Sequence, residues 1–328
     1  MVTFFGLFVL TLLVITAIGI LRAENLFAAV MLTGLFSLLM ASIFFILDAA
    51  DVALTEAAVG AGVATVLMLS ALALTSDREQ QQRRRHWIPI VVVSVTTLLI
   101  IYATFDNPRL GDPGAPVHQH VAPWYLSETP RLIDIPNVVT AILASFRGYD
   151  TLGELFVIFT AGIGVLFMLS TDTERSPLTL LPNPDTEGLR HHQVPRIIGR
   201  LLVPFIVLFG LYVQFHGEYG PGGGFQAGAL ISAGFILFAL IEGEAAALKV
   251  LSFRVLAGMI TTGAFLYVAV GLAGIARGGN FLDYSVLLDD PIAGQHLGII
   301  LIELGVGLTV TGVLLSVFHA FAARRQHS

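Results

Sequence analysis

A backbone that enters lipid finds no water to bond, so it must close its hydrogen bonds within a helix or a sealed barrel. Nine stretches of this sequence are long and apolar enough to cross a bilayer as helices: 2–21, 26–47, 52–74, 87–105, 151–170, 198–214, 223–241, 254–274 and 297–321. The pattern predicts an all-α, polytopic membrane protein with about nine transmembrane helices. Composition agrees: 12% of residues are charged, against roughly 25% in a soluble domain. That excludes an ordinary cytosolic enzyme, a nucleic-acid binder and a disordered chain. The net charge of −6 gives no general attraction to polyanions. With no cysteine, the chain has no disulfide, thiolate metal site, Cys-ligated iron–sulfur cluster or Cys nucleophile. The first stretch does not read as a cleavable signal: no basic segment precedes it, and Arg22 and Glu24 follow it instead of a small-residue cleavage site.

Basic residues set the expected orientation. With the N-terminus outside, the inner segments hold thirteen: Arg22, Arg78, Arg83, Arg84, Arg85, Arg175, Arg190, Arg196, Arg200, Lys249, Arg254, Arg324 and Arg325. The outer segments hold four: Arg109, Arg131, Arg147 and Arg277. This bias favours N-terminus out and C-terminus in, and losing any one span would spoil it. A Pro-rich segment, 106–150, then lies outside, and a Pro-rich charged linker, 171–197, lies inside. Within the outer segment, Val138, Val139, Ile142, Leu143 and Phe146 share one helical face after Pro136-Asn137. They predict a short amphipathic helix at the interface or tucked into the bundle. No internal repeat is evident.

A charge at the middle of a membrane helix costs at least about 2.5–3.5 kcal/mol. Three carboxylates nevertheless fall inside spans: Glu56, Glu154 and Glu303. In this topology all three enter from the outer side, and Asp48, Asp51 and Asp150 lie at the outer rim. Such an acidic layer suits a small hard cation or the relay of a proton. The competing reading is that each acid only fastens helices. Asp150 and Glu154 are four apart and share a helical face. Arg147 can neutralise Asp150, or Asp150 can cap the helix start.

The string His216-Gly217-Glu218-Tyr219-Gly220-Pro221-Gly222-Gly223-Gly224-Phe225-Gln226-Ala227-Gly228 joins two spans on the outer side. No Lys-Ser/Thr follows its glycines, so it is not a nucleotide loop. Its exposed backbone could hold an anion at the next helix N-terminus, but a structural turn is the better reading. Gly224 and Gly228 form a GxxxG pair for close helix packing. Gly60 and Gly62, just after Glu56, mark either a bulge or a packing contact. The histidines in loops read as solvated. His296 and His319, near the ends of the last span, do not assemble a haem site.

Three strings together resemble one family. Residues 134–154, with Asn137-Val138-Val139-Thr140 and Phe146 to Glu154, resemble the C-terminal region of the large subunit of Mrp-type Na+/H+ antiporters. They equally resemble the MbhE-type subunit of membrane-bound hydrogenases. Residues 52–62 are similar to the adjoining MbhD-type module. Residues 216–228, 280–284 (Asn280-Phe281-Leu282-Asp283-Tyr284) and 302–311 resemble the MnhB/MrpB subunit. The resemblance implies three modules: 1–86 with three helices, 87–175 with two and a long outer loop, and 176–328 with four.

It also implies a prokaryotic cell-membrane protein that works in a multisubunit complex with large antiporter-like subunits, small membrane subunits and lipid, and with no nucleic acid. The implied role is a secondary transporter subunit, not an enzyme, with no cofactor beyond transported Na+ and H+. Glu56, Glu154, Asp150, Arg147, Glu303, Asp51 and Asp283 are its implied ion-pathway residues, with Na+ at Glu56 and Glu154. A helix bulge is implied near Gly60 and Gly62. Structural roles fall to His216, Pro221, Gly222, Gly223, Gly224, Phe225 and Gly228. In the antiporters the first two modules end a much larger subunit, whereas span one here starts close to Met1, which suggests a split large subunit. The single lysine, at an inner rim, argues against independent pumping. Two other readings stand beside this one: the equivalent subunit of a redox-driven ion pump, and a purely structural scaffold.

Overall fold

The computed structural model describes residues 2–75, 78, 87–109, 111–169, 189 and 192–324. Arg83, Arg84, Arg85, Arg175, Arg190, Arg325 and most of the 171–197 linker lie outside them. Among the described residues, nine helices are long and apolar enough to cross a membrane. They are α1 (Val2–Arg22), α2 (Leu26–Ile46), α3 (Ala50–Leu72), α4 (Trp87–Thr104), α7 (Gly148–Leu169), α8 (Gln193–His216), α9 (Gly224–Glu242), α11 (Phe253–Ala276) and α12 (Pro291–Arg324). Shorter helices are α5 (Val121–Leu132), α6 (138–146) and α10 (Glu244–Val250). The last span starts earlier than hydropathy alone indicates, because Pro291 opens it at a position where no N–H is required.

α3 changes its winding midway. Ala50–Thr55 and Thr65–Leu72 are α-helical, while Glu56–Ala64 is π-helical. A π turn bonds five residues ahead and widens the helix. Here it bulges against α2. A Cβ on Gly60 would stand 2.6 Å from Glu56 Oε1 and 2.7 Å from Ser37 Oγ, so glycine leaves room for both side chains as they lie here.

The outer segment read as a Pro-rich loop is largely helical. Pro116 starts a four-residue turn and Pro123 lies in the first turn of α5, where helices tolerate proline, while Pro130 falls inside α5 near its end. Ile133 and Ile135, just after α5, are buried in the main core. In α6 the expected apolar stripe is not the side most buried. Thr140, Ala141 and Ala144 face inward, whereas Val139 and Leu143 are exposed. Lipid is as apolar as leucine, so small side chains that permit close approach decide which face meets protein.

The core does not follow module lines. One apolar cluster joins Ile133, Ala141, Ala144 and Leu155 to Tyr267, Tyr284, Ile302 and Val310. A second joins Val63 of the π segment to Ile236, Leu256, Leu315 and Phe318. α12 belongs to both and forms the axis of the bundle. Helices α5 and α6, the glycine turn and the 277–290 segment gather at one end, the loop face. Arg196, Arg200, Lys249 and Arg254 mark the other end, the arginine face.

Candidate functional site

At the loop face a cavity of about 180 Å³ opens where the three parts of the chain meet. Asp51 and Thr55 of α3 line one side, and Thr140, Leu143, Thr151 and Glu154 of α6 and α7 line a second. Gly222–Gln226 and Glu303 close the third. Three carboxylates distant in sequence therefore share one small space.

Local structure explains each placement. Asp51 lies in the first turn of α3, where the helix dipole favours an acid. Its Oδ1 accepts from the Gly222 backbone N–H at 3.2 Å and from Asn137 Nδ2 at 3.4 Å. Asn137 caps α6 by accepting from Val139 N and Thr140 N. The same amide donates to the carbonyls of Gly217 and Gly220 at 3.0 and 2.9 Å. Thr140 Oγ1 donates to the Gly217 carbonyl at 2.7 Å. The glycine turn is thus pinned by side chains of two other modules. Two of its backbone donors are used within the chain: Gly222 N–H by Asp51 and Gly223 N–H by the Val213 carbonyl. The anion of this loop belongs to the chain itself.

Glu303 packs against that turn. A Cβ would stand 3.0 Å from its Oε1 at Gly223 and 3.1 Å from its Oε2 at Gly217. Gly223 also has φ +125°, which side-chain-bearing residues rarely adopt. The turn therefore needs glycine both for its backbone and for room to hold the carboxylate. Gly224 opens α9, so Glu303 sits at a helix N-terminus, where negative charge is favoured. Gly224 and Gly228 bring α9 onto α12. Their Cβ atoms would stand 2.9 Å from Gly307 N and 2.8 Å from Val310 Cβ respectively.

The other expected site residues lie elsewhere. Glu56 points back along the π segment toward Gly60 and Ser37, away from the cavity lining. Glu154 lines the cavity, and Glu56 is not among its lining residues. Arg147 and Asp150 form an ion pair at 2.5 Å, with side chains 60% and 56% exposed. Asp283 caps a short turn, accepting from Ser285 N and Ser285 Oγ. His216 stacks on Tyr212 at 4.8 Å. Pro221 stands in the turn, and Phe225 lines the cavity. Among the described residues no three His, Asp or Glu side chains converge as a metal-holding group. The carboxylates ring a space instead of clasping one point.

Several polar residues were not picked out from sequence. Glu218 is buried beside the cavity wall; its Oε2 lies 3.2 Å from His296 Nδ1, and its Oε1 has no hydrogen-bond partner. Tyr267 and Tyr284 are fully buried, and their hydroxyls donate to the carbonyls of Gly148 and Ala144 at 2.8 and 3.1 Å. Ala144 lies in the last turn of π-wound α6, where carbonyls lack helical donors, and Gly148 opens α7 just beyond the break. Burial pushes the Tyr284 phenol above its ordinary range, so it remains a donor. The available signal was a tyrosine alone inside the apolar span 254–274.

Comparisons with known proteins follow the same three-part division. The family described as "Domain related to MnhB subunit of Na+/H+ antiporter" matches residues 194–316. The MbhD family, described as the D subunit of MBH, matches 11–77, and the MbhE family, the E subunit of MBH, matches 82–173. A putative antiporter subunit mnhB2 of Staphylococcus aureus is 34% identical over 40% of this chain and 95% of its own length. A probable K(+)/H(+) antiporter A/B subunit of Rhizobium meliloti is 26% identical over 90% of this chain, but the match spans 32% of that relative. An uncharacterized protein of Methanocaldococcus jannaschii is 34% identical over 45% of the chain and 60% of its own length. Among solved structures, the Mrp complex from Dietzia sp. DQ12-45-1b matches with TM-score 0.75 and 28% identity, covering 96% of this chain and 34% of that one. The membrane-bound sulfane sulfur reductase, an archaeal respiratory membrane complex, matches with TM-score 0.53 and 29% identity, covering 70% and 97%. With its nine apolar helices, this chain is a multi-pass protein of a prokaryotic membrane, and it belongs to the family of Mrp-type antiporter subunits.

Proposed function

We propose that this chain is one subunit of a multisubunit cation/proton antiporter and that the loop-face cavity is where it holds the transported ion. The observation that carries this reading is the convergence of Asp51, Glu154 and Glu303, from three modules, on one space. Carboxylates within membrane spans are expensive and mark ion or proton paths. Oxygen ligands ringing a small cavity suit a hard cation such as Na+, and each can hold a proton instead. Competition between the two for the same oxygens couples their movements. Asp51 also fastens the glycine turn, so ion occupancy and the seating of that turn are linked. Glu56, beside Ser37 at the π bulge, is assigned to a neighbouring branch between α2 and α3.

The partners are the other Mrp-type subunits: large antiporter-like chains and small membrane subunits. The arginine face is cytoplasmic and the cavity opens outward, by the excess of basic residues. A second reading is supported by the match to the sulfane sulfur reductase, whose chain is covered almost entirely. There the same modules would serve a redox-driven complex. Affinity purification in mild detergent separates the two: antiporter-like membrane subunits alone support the first reading, and stoichiometric metal-cluster subunits support the second.

The direct test is cation-dependent proton flux in vesicles bearing the complete assembly. Glu154→Gln and Glu303→Gln should each lower the rate at least roughly tenfold, equivalent to about 1.4 kcal/mol in the barrier. Fully assembled variants with unchanged flux would refute the cavity's role.

A further inference from the structure

The glycine turn carries one carboxylate, Glu218, and the fold buries it. Its backbone is fixed from α6. The Glu218 carbonyl accepts from Asn137 N at 3.0 Å, and the Gly217 carbonyl accepts from Asn137 Nδ2 and Thr140 Oγ1. With the main chain held, the side chain reaches α12. Oε2 lies 3.2 Å from His296 Nδ1, while Oε1, shielded from solvent, meets no hydrogen-bond donor. A carboxylate taken out of water is costly unless its charge is matched and its lone pairs are filled. The partner that reaches this one is an imidazole, 33% exposed at the loop face.

His296 and Glu303 are seven residues apart on α12, two turns along one face. Gly294 and Gly298 seat the outer turns of α12 on Tyr284, which holds the histidine at the rim. Glu303 faces the cavity, and its carboxylate packs on Gly217, the residue before Glu218. The charges that bear on Glu303 are those of Glu218 and Asp51. Glu218 is outside the cavity lining and stands behind the turn. The other charges at this face are engaged or solvated. Asp51 of α3 accepts from Gly222 N–H, and Glu154 of α7 lies across the cavity. Arg131 of α5 pairs with Glu128, Arg147 pairs with Asp150, and Asp283 accepts from Ser285. His216 stacks on Tyr212. Asp48, Asp134, Arg277, Asp289 and Asp290 are exposed.

We propose that Glu218 and His296 form a proton-binding site at the rim, and that its charge sets how tightly the neighbouring cavity holds a cation. In the proton-poor state neutral His296 donates from Nδ1 to Oε2, and the pair carries a net negative charge. The ring then takes a proton from loop-face water, the imidazolium matches the carboxylate, and the pair becomes neutral. Release returns the same proton to water. Histidine is the side chain whose ordinary titration falls near neutral pH, so the change belongs to the working range. A negative charge behind the turn favours a cation beside Glu303, and its neutralisation disfavours one. Linkage makes the opposition reciprocal: a cation in the cavity drives the proton off the pair. Proton and cation exclude one another here without sharing the same oxygens.

The cation in the cavity rests on the antiporter reading; the proton on the pair does not, and two measurements keep them apart. In the purified whole assembly, infrared difference spectra taken across a pH titration in choline buffer follow histidine. His296→Gln should remove one imidazole titration. Glu218→Gln should move that same titration to lower pH, because the anion that favours the imidazolium is gone. A titration indifferent to Glu218→Gln overturns the pair. Equilibrium binding of radioactive sodium to the same preparations, with rubidium standing in for potassium, tests the coupling. At alkaline pH, Glu218→Gln should raise the half-saturating concentration at least roughly fivefold, the lower end for coupled sites. His296→Gln keeps an amide that donates to Oε2 and removes the proton's place. It should lower the half-saturating concentration by a like factor at acid pH and leave it unchanged at alkaline pH. The two variants thus shift binding in opposite directions, which a folding defect does not do. Shifts in the same direction, or none, overturn the coupling. An unaltered assembly that binds neither cation defeats the cavity reading and the coupling with it, and the infrared titration still decides the proton site.

Discussion

α12 and α4 have the same mean hydropathy, 2.1, over their most apolar windows, yet 61% of the first window is buried inside the chain and none of the second. Apolarity therefore reports that a helix dissolves in lipid, not what it packs against. The difference lies in glycine and in where the hydroxyls point, since α4 also carries Ser94, Thr96 and Thr97 but buries none of them. α12 carries Gly298, Gly305, Gly307, Gly312, Thr309 and Thr311, most of them at close contacts with other helices. α4 has no glycine, and bulky residues cover its whole circumference. In a membrane, close approach and hydrogen bonds hold helices together, because burying leucine gains little over leaving it in lipid.

The strongest way to break this contrast is to make the α9/α12 seam resemble α4. Gly228→Leu puts a branched side chain where even a Cβ would stand 2.8 Å from Val310 Cβ and 2.9 Å from the Gly307 carbonyl. The expected loss is roughly 3 kcal/mol, at the upper end for overpacking. It should appear as a lower midpoint of denaturation in mixed micelles. An unchanged midpoint would mean that glycine proximity does not hold α12 in place.

The same contrast explains what could be read in advance. The spans were legible because lipid imposes length and apolarity on each one separately. Their partners were not, since hydropathy has no term for shape. Glu303 and Glu154 stood out as costly charges, Asp51 as an acid at the outer rim, and the glycine string as a turn. Their meeting depended on Asn137, whose amide joins three segments through contacts no local pattern records. The π winding of α3 was hinted at by Gly60 and Gly62 and by the family resemblance. That of α6 had no such signal, because the tyrosines that satisfy it come from residues more than a hundred positions away. His319 was visible only as a histidine near a helix end.

A finer probe asks how much of the α12 side of the contrast is hydrogen bonding. Tyr284→Phe keeps the ring in the core and removes one hydroxyl, leaving the buried Ala144 carbonyl without that donor. The expected cost is about 1–3 kcal/mol, the penalty for an orphaned buried acceptor. Amide exchange should quicken in α6 before it does in α9. Equal protection in both would place the strength of this region in apolar packing alone.

The smallest effect belongs to α4, and its size is the point. Val92→Leu and Leu99→Ile keep the helix apolar, and neither residue is buried within the chain. In the isolated chain both should change the denaturation midpoint by no more than about 0.5 kcal/mol, as substitutions away from packed contacts do. In the complete assembly the result discriminates. If α4 meets only lipid, the variants stay silent there too. If another subunit covers it, the same changes of side-chain shape weaken co-purification of that subunit while the isolated chain remains unaffected. A helix without buried residues in its own chain would then owe its sequence to a neighbour, and the face on which Val92 or Leu99 is felt would identify where that neighbour sits.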